Sequence, residues 1–409
     1  MKKILLAPNP TGTGHNMRLL AIGRKLKHIN NNLEITVLLG SRQDIFSQLF
    51  ESEGIRVIDL NPTGIIDHSK NSHLESDLNW ETMISNYFVP TFFNGDKVLK
   101  YMNLINELSP DLLISDYNIN ATIAAITSST KNVFITERHN FTLVDVEIED
   151  LIIGGFNVNI KEINAAKKNL QRLFDWLIMN SDLVITDKVL LASFKTDVQL
   201  LKYKSKVHFV GAMYSERSQG VQLDYGELQI DKSKPYIVGT VSSTTMLKQD
   251  KEKNISVYIS TFNELKKTIP DLQLVLLGTS DKKQKNDDVI YIPYLPSWRQ
   301  LIENSLLVIS HPGWITVTEV SYLNIPTVFY LPNFMEYHEV EAYRRLEQLG
   351  LPVFNGEDSK SFCELIISIM KSDKEKTFSG YKILSPDKNG INKATNLINT
   401  LVEEGEPTL

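Results

Sequence analysis

The stretch His311-Pro312-Gly313-Trp314-Ile315-Thr316-Val317-Thr318-Glu319 follows an apolar run, Leu306 to Ile309, and opens a helical pattern. A buried strand that runs through a glycine turn into a helix is the repeating unit of a parallel α/β sheet. Backbone N–H groups at Gly313 to Thr316 point at any anion set against that helix start. His311 and the Thr316 hydroxyl add donors. Glu319, about one turn further on, can accept from two vicinal hydroxyls, as a ribose presents. The plain alternative is a chance helix start beside a surface acid, and the combined spacing argues against it.

Working outward, the same rhythm of strand, loop and helix fills the second half. Tyr236 to Val238, Leu272 to Leu277, Val289 to Ile292 and Thr327 to Leu331 are further strand candidates, and Glu336 to Leu349 reads as a helix that Gly350 ends. The first half repeats it with Ile4 to Ala7, Ile35 to Leu39, Ile55 to Ile58, Asp111 to Ser115, Val133 to Ile135, Leu183 to Ile185 and Val207 to Val210. Short continuous apolar runs between helices indicate strands buried on both faces, hence mostly parallel sheets. The expected division is an N-terminal domain over 1–212, a polar connection over 213–234 and a C-terminal domain over 235–390. A last helix, about 391–404, is available to pack back on the first domain. Residues 60–80 and 137–160 read as unusually long connections, and such loops tend to be functional. Within the second of these, Leu151 to Phe156 is an apolar patch, open to an aglycone or membrane contact or to burial as a loop strand.

At 409 residues, 42% hydrophobic and 22% charged, the composition is that of an ordinary globular protein with room for two cores. A net charge of −6 supplies no general attraction for nucleic acid or anionic lipid. The single cysteine, Cys363, excludes an intramolecular disulfide and a multi-thiolate zinc site, and reads as a small core residue. The first apolar run is too short for a signal-peptide core and meets Pro8 and Pro10 at once. No run approaches a membrane span. The expected location is cytoplasmic, with peripheral membrane association left open.

The other informative turn is Pro10-Thr11-Gly12-Thr13-Gly14-His15, directly after the first strand. Gly12 and Gly14 permit a tight turn and close backbone approach, and His15 projects beyond the carboxyl end of a strand, where open α/β sheets bind ligands. A dinucleotide fingerprint fits less well, because no third glycine follows.

On these residues the sequence resembles the nucleotide-sugar-dependent glycosyltransferases of the GT-B fold, which carry two facing Rossmann-like domains with the ligand cleft between them. It is most similar to the metal-independent inverting UDP-glycosyltransferases and natural-product glycosyltransferases. Those enzymes carry a Gly-His turn where Gly14-His15 lies, and a His-x-Gly-x-x-Ser/Thr-x-x-Glu signature that His311, Gly313, Thr316 and Glu319 match. They carry a proline in a base-holding segment, where Tyr294-Leu295-Pro296-Ser297 stands here. They also carry an acidic or amide pair after the next strand, where Glu336 to Glu339 lies. Pro312 replaces a frequent glycine, Ser297 a frequent glutamine, and Glu336-Tyr337-His338-Glu339 the usual Asp-Gln pair. Val241-Ser242-Ser243-Thr244 replaces a Phe-Gly-Ser type turn.

The resemblance implies that His15 is the general base toward an acceptor hydroxyl and that Asp116 orients it. Capping of the helix near Asn118 is the competing role for Asp116. It implies donor contacts from Gly14, Ser242, Ser243, Tyr294, Pro296, His311, Gly313, Trp314, Thr316, Glu319, Glu336, His338 and Glu339. For Tyr294 and Trp298, core packing competes with base stacking, and Glu336 to Glu339 has an exposed charged turn as its alternative, with Glu339 and Glu341 spaced for surface pairing with Arg344 and Arg345. Arg138 and His139 are the acceptor-side candidates, with a plain loop role as the other reading. No Asp-x-Asp motif stands at a strand end, so no metal is expected. No cofactor is expected either, since the nucleotide-sugar, UDP- or dTDP-linked, is a substrate. The acceptor is a small molecule or a lipid-linked one, and nucleic acid is not a partner. Two alternatives remain beside transfer: a nucleotide-sugar epimerase of the same fold, or a non-catalytic sugar-nucleotide-binding accessory protein.

Overall fold

Alternation within the first strand builds the first core. Ile4 and Leu6 point to one face, with Leu19, Ile22 and Leu26 of the helix Thr13–Ile29 and with Ala394, Ile398 and Val402 of the helix Gly390–Glu403. Leu5 and Ala7 point to the other, with Tyr101 and Ile105 of the helix Gly95–Leu108 and with Ala121, Ala124 and Ala125 of the helix Ile119–Thr127. Successive side chains of a strand face opposite ways, so an unbroken apolar run demands helices on both sides. The structure, a computed structural model, describes residues 1–10, 13–40, 44–60, 77–82, 88, 92–214, 223–241, 248–278, 283–293, 295 and 298–403.

The chain divides into two compact units, Met1–Ser215 with Asp387–Leu409, and Glu216–Pro386. The first unit holds β1 (Lys2–Pro8), β2 (Leu33–Leu39), β3 (Arg56–Asp59), β4 (Asp77–Leu78), β5 (Leu112–Asp116), β6 (Asn132–Ile135), β7 (Asn157–Val158), β8 (Leu183–Thr186) and β9 (Val207–Phe209). Seven of them form a parallel sheet in the order β3-β2-β1-β5-β6-β8-β9, and β4 pairs with β7 apart from it. The second unit holds β10 (Tyr236–Thr240), β11 (Gln273–Leu277), β12 (Gln284–Asn286), β13 (Val289–Ile292), β14 (Val308–Ser310), β15 (Thr327–Tyr330) and β16 (Val353–Phe354). Their order is β12-β13-β11-β10-β14-β15-β16, with β12 antiparallel at the edge. Leaving out that edge strand, the second sheet has the doubly wound order 3-2-1-4-5-6, and the first sheet has it with one strand added.

Three sequence readings change. Residues 137–160 are not one loop: they contain the short helices Thr142–Asp145 and Ile148–Ile153. In the apolar patch Leu151 is buried, whereas Ile152 and Ile153 lie exposed on the second of these helices. The described part of the polar connection is no free linker, because Tyr225, Leu228 and Ile230 are buried and Tyr225 Oη donates to the Gln300 carbonyl at 3.1 Å. Finally, Glu341 and Arg345 are not a surface pair. They form a fully buried ion pair one helical turn apart, at 2.7 Å.

Candidate functional site

In a doubly wound sheet, ligands bind beyond the carboxyl ends of the strands where the strand order reverses. In the first unit that point lies between β1 and β5, whose register sets Pro8 beside Asp116. His15 enters from the helix after β1, and Asp116 is the last residue of β5. The structure brings them together: His15 Nδ1 lies 2.8 Å from Asp116 Oδ1. The cap of the following helix is a different residue, since the Asn118 side chain accepts from Ala121 N. Asn118 is held in turn through Nδ2 by the Pro8 carbonyl at 2.9 Å and by Tyr101 Oη at 2.8 Å. The β1 and β5 ends are thereby tied directly under the pair.

Sequence reasoning passed over a third member. Arg18, one turn beyond His15 on the same helix face, donates Nε to Asp116 Oδ2 at 2.7 Å and Nη2 to Asp116 Oδ1 at 2.6 Å. Its Nη1 donates to Asp187 Oδ2 at 2.9 Å, and Glu137 Oε2 lies 3.7 Å from Nη2. Asp187 follows β8 and Glu137 follows β6, so carboxylates from three neighbouring strand ends converge on one buried guanidinium. The readable signal was positional: each acid stands at or just past the carboxyl end of a parallel strand.

The charge states follow from this packing. Burial is the largest influence on Asp116 and opposes its ionisation, but Arg18 and His15 together outweigh it and hold the carboxyl below its ordinary value. Burial likewise opposes charge on Arg18, and the carboxylates around it more than restore it, so the guanidinium stays protonated. For Asp187, burial combined with Glu137 and Asp116 prevails over Arg18, and the carboxyl is raised. An ionised Asp116 can only accept, so the imidazole proton sits on Nδ1 and the Nε2 lone pair is left for chemistry. The Tyr117 ring lies nearly parallel to the imidazole, 6.5 Å away between centroids.

Of the other first-unit candidates, Gly14 lies in the first turn of the same helix and Arg138 is half-buried after β6. His139 is turned inward: it is 1% exposed, with Nδ1 3.3 Å from Asp197 and its ring 5.9 Å from Phe209.

In the second unit the reversal lies between β10 and β14. Thr240 Oγ1 donates to Ser310 Oγ across that point at 2.9 Å. His311 comes next, buried, and Gly313 is the N-cap of the helix Trp314–Leu323. Trp314 and Val317 turn into the core, while Gly313, Thr316 and Glu319 stay half-buried along one open stripe. The Trp298 indole N–H donates to Glu319 Oε2 at 2.7 Å, so Trp298 orients this carboxylate. His311 Nδ1 is 3.7 Å from Glu339 Oε1, and His338 bridges Glu339 at 3.5 Å and Glu336 at 3.3 Å. Glu336 and Glu339 are buried, so the second signature is joined to the first and is no exposed turn. Ser242, Ser243, Tyr294 and Pro296 lie outside the described residues.

Residues 239–373 match the family model of the glycosyltransferase family 28 C-terminal domain. No curated protein matches the chain by sequence. Among solved structures, the spinosyn rhamnosyltransferase SpnG is 13% identical with a TM-score of 0.61, over 98% of this chain and 100% of that one. UGT2 of Phytolacca americana, solved with UDP-2-fluoro-glucose and pterostilbene, is 12% identical with a TM-score of 0.64, over 98% and 100%. A putative UDP-N-acetylglucosamine 2-epimerase from Listeria monocytogenes is 11% identical with a TM-score of 0.63, over 99% and 98%. At such identities the likeness is one of fold, and that fold is GT-B.

Proposed function

We propose that the chain is an inverting, metal-independent glycosyltransferase, a reading supported by the GT-B fold and by the match of residues 239–373 to a glycosyltransferase C-terminal domain. The donor is a UDP- or dTDP-linked sugar, and the acceptor is a hydroxyl of a small or lipid-linked molecule. The observation that carries the reading is the buried His15–Asp116 pair at 2.8 Å, set where the strand order of its sheet reverses.

The acceptor oxygen attacks the anomeric carbon, and the new C–O bond forms as the bond to the diphosphate oxygen breaks. The hydroxyl proton passes to His15 Nε2, and the nucleoside diphosphate leaves with the bonding electrons. A single displacement of this kind inverts the centre. Asp116 fixes the Nδ1–H tautomer and stabilises the imidazolium as it forms. In the second unit the N–H groups at the start of the Trp314–Leu323 helix and His311 face the diphosphate, and Glu319 faces the ribose. Gly14, Ser242, Ser243, Tyr294, Pro296, Trp314, Thr316, Glu336, His338 and Glu339 complete the proposed donor contacts, and Arg138 stands on the acceptor side.

The test is a panel of UDP- and dTDP-sugars against a defined acceptor library, read by mass spectrometry with and without EDTA. Transfer that survives EDTA and fails in His15→Ala is the expected result. Full transfer by His15→Ala overturns the base assignment. An epimer formed from the donor alone, or tight donor binding without turnover, replaces transfer by one of the two alternatives.

A further inference from the structure

We propose that Asp187, acting through Arg18, is a positioning residue that sets the pH at which His15 takes up a proton. The inference rests on His15 being the base of the reaction proposed above. A simple His–Asp pair needs no guanidinium. Here Arg18 occupies both oxygens of Asp116, and its Nη2 reaches within 3.4 Å of His15 Nδ1. A cation at that distance opposes protonation of the imidazole and offsets much of what Asp116 contributes.

Asp187 answers that cation from the far side. Its Oδ2 takes Nη1 of Arg18, the Asp187 side chain is 2% exposed, and its Oδ1 has no hydrogen-bond partner among the described residues. A carboxylate buried with one oxygen unsatisfied is costly, and nothing in the sheet requires an acid at the end of β8. Its consequence is electrostatic. When ionised, Asp187 adds a negative charge to those of Asp116 and Glu137 around Arg18, and so acts against the cation that stands beside the imidazole. The charged and titratable groups facing this cluster come from four elements: His15 and Arg18 from the helix after β1, Asp116 and Tyr117 from the end of β5, Glu137 after β6, and Asp187 after β8. Arg18 also fixes the geometry, since the fork that holds Asp116 is itself aimed by the Asp187 bond.

The experiment is the pH profile of kcat/KM, together with an NMR titration of the His15 ring assigned by its loss in His15→Ala. Asp187→Asn keeps the shape and removes one negative charge about one guanidinium away. It should move the acid limb and the imidazole titration to lower pH by about one pH unit. Arg18→Met removes the cation and should move both the other way. Arg18→Lys keeps the charge and loses the fork, so it should lower kcat several-fold and leave the limb in place. Limbs and titrations that coincide in wild type, Asp187→Asn and Arg18→Lys overturn the inference, because a purely structural Asp187 would lower activity equally at every pH. The ring titration separates this failure from that of the proposed function. If His15→Ala keeps full transfer, the base assignment falls, while the imidazole shift in Asp187→Asn still decides whether Asp187 sets the proton affinity. Should Arg18→Met fail to fold, Asp187→Asn and Arg18→Lys carry the test alone.

Discussion

Asp116→Asn tests the centre of the first-unit site most directly. The carboxylate accepts from His15 Nδ1 at 2.8 Å and from Arg18 at 2.7 and 2.6 Å. An asparagine has one acceptor oxygen and one donor nitrogen in the same space. If the oxygen faces Arg18 Nε, the amide nitrogen meets both Nη2 of Arg18 and His15 Nδ1–H. If it faces the other way, Nε is left against a donor. At least one charge-assisted bond is lost in either pose, at about 1.5–3 kcal/mol, and a buried guanidinium loses half its compensation. The expected destabilisation of the first unit is therefore about 3 kcal/mol, short of the upper range because Asp187 still holds Nη1.

The pH dependence has a definite sign. Asp116 has a folded-state value depressed below the ordinary one, so its stabilisation is complete above about pH 4 and is lost only as pH falls through the depressed value. Urea unfolding followed by circular dichroism should thus give a gap between wild type and Asp116→Asn at pH 5 no smaller than at pH 7.5. Transfer should fall by about 10²–10⁴, because the tautomer that frees Nε2 is no longer enforced. A stability gap that closes by pH 5 would mean that the carboxyl already binds a proton there, which refutes the ion-paired assignment. Unchanged turnover would refute its link to His15.

Other outcomes are equally open to measurement. His15→Ala should lose about 10²–10⁴ in kcat while donor affinity, read by calorimetry, stays near that of the wild type. Trp298→Phe removes the N–H that orients Glu319, and should raise donor KM several-fold with little change in kcat. In the β10 strand a side chain at Gly239 would meet Leu276 Cδ2 at 2.8 Å and the Tyr258 ring at 3.0 Å, so Gly239→Ala should destabilise the second unit by about 1–3 kcal/mol, seen in thermal melts. A Cβ at Gly390 would run into the Ala212 carbonyl, so Gly390→Ala should loosen the last helix from the first unit and raise its amide exchange above that of the Thr13–Ile29 helix.

Much of this architecture was legible because continuous apolar runs have one physical solution. Ile4 to Ala7 cannot be half-exposed, so helices must cover both faces, and repeated runs give a parallel sheet. The edge strand Gln284–Asn286 was not legible, since all three of its residues are polar and exposed and only backbone pairing with β13 makes it a strand. Residues 137–160 misled for a related reason. The helices there are four and six residues long, too short to show a 3.6-residue period. In the site, His15 and Asp116 were found because both stand at strand ends. Asp187 met the same positional rule but was passed over, and Arg18, inside a helix, met none: a basic residue on a helix and a lone acid after a strand carry no chemistry until they converge. Glu341 and Arg345 failed in the opposite direction, because spacing one turn apart is the same for a solvated pair and a buried one.

The two sheets share a strand order, yet electrostatics keeps their reversal points from exchanging roles. The first collects Asp116, Glu137 and Asp187 around one guanidinium, beside His15. The second offers a helix start free of acidic residues in its first turn, the hydroxyls of Thr240 and Ser310, and His311. That helix start favours an anion. Its acids, Glu336 and Glu339, stand with His338 and reach His311 through Glu339 at 3.7 Å, so they bear on the diphosphate through a group that can itself carry a proton. On the proposed reading the second unit holds the anionic donor and the first supplies the histidine base, each at the reversal point whose local charges suit it. The proposed assignment of base and donor to different halves, which the resemblance to glycosyltransferases implies, agrees with which strand ends carry carboxylates.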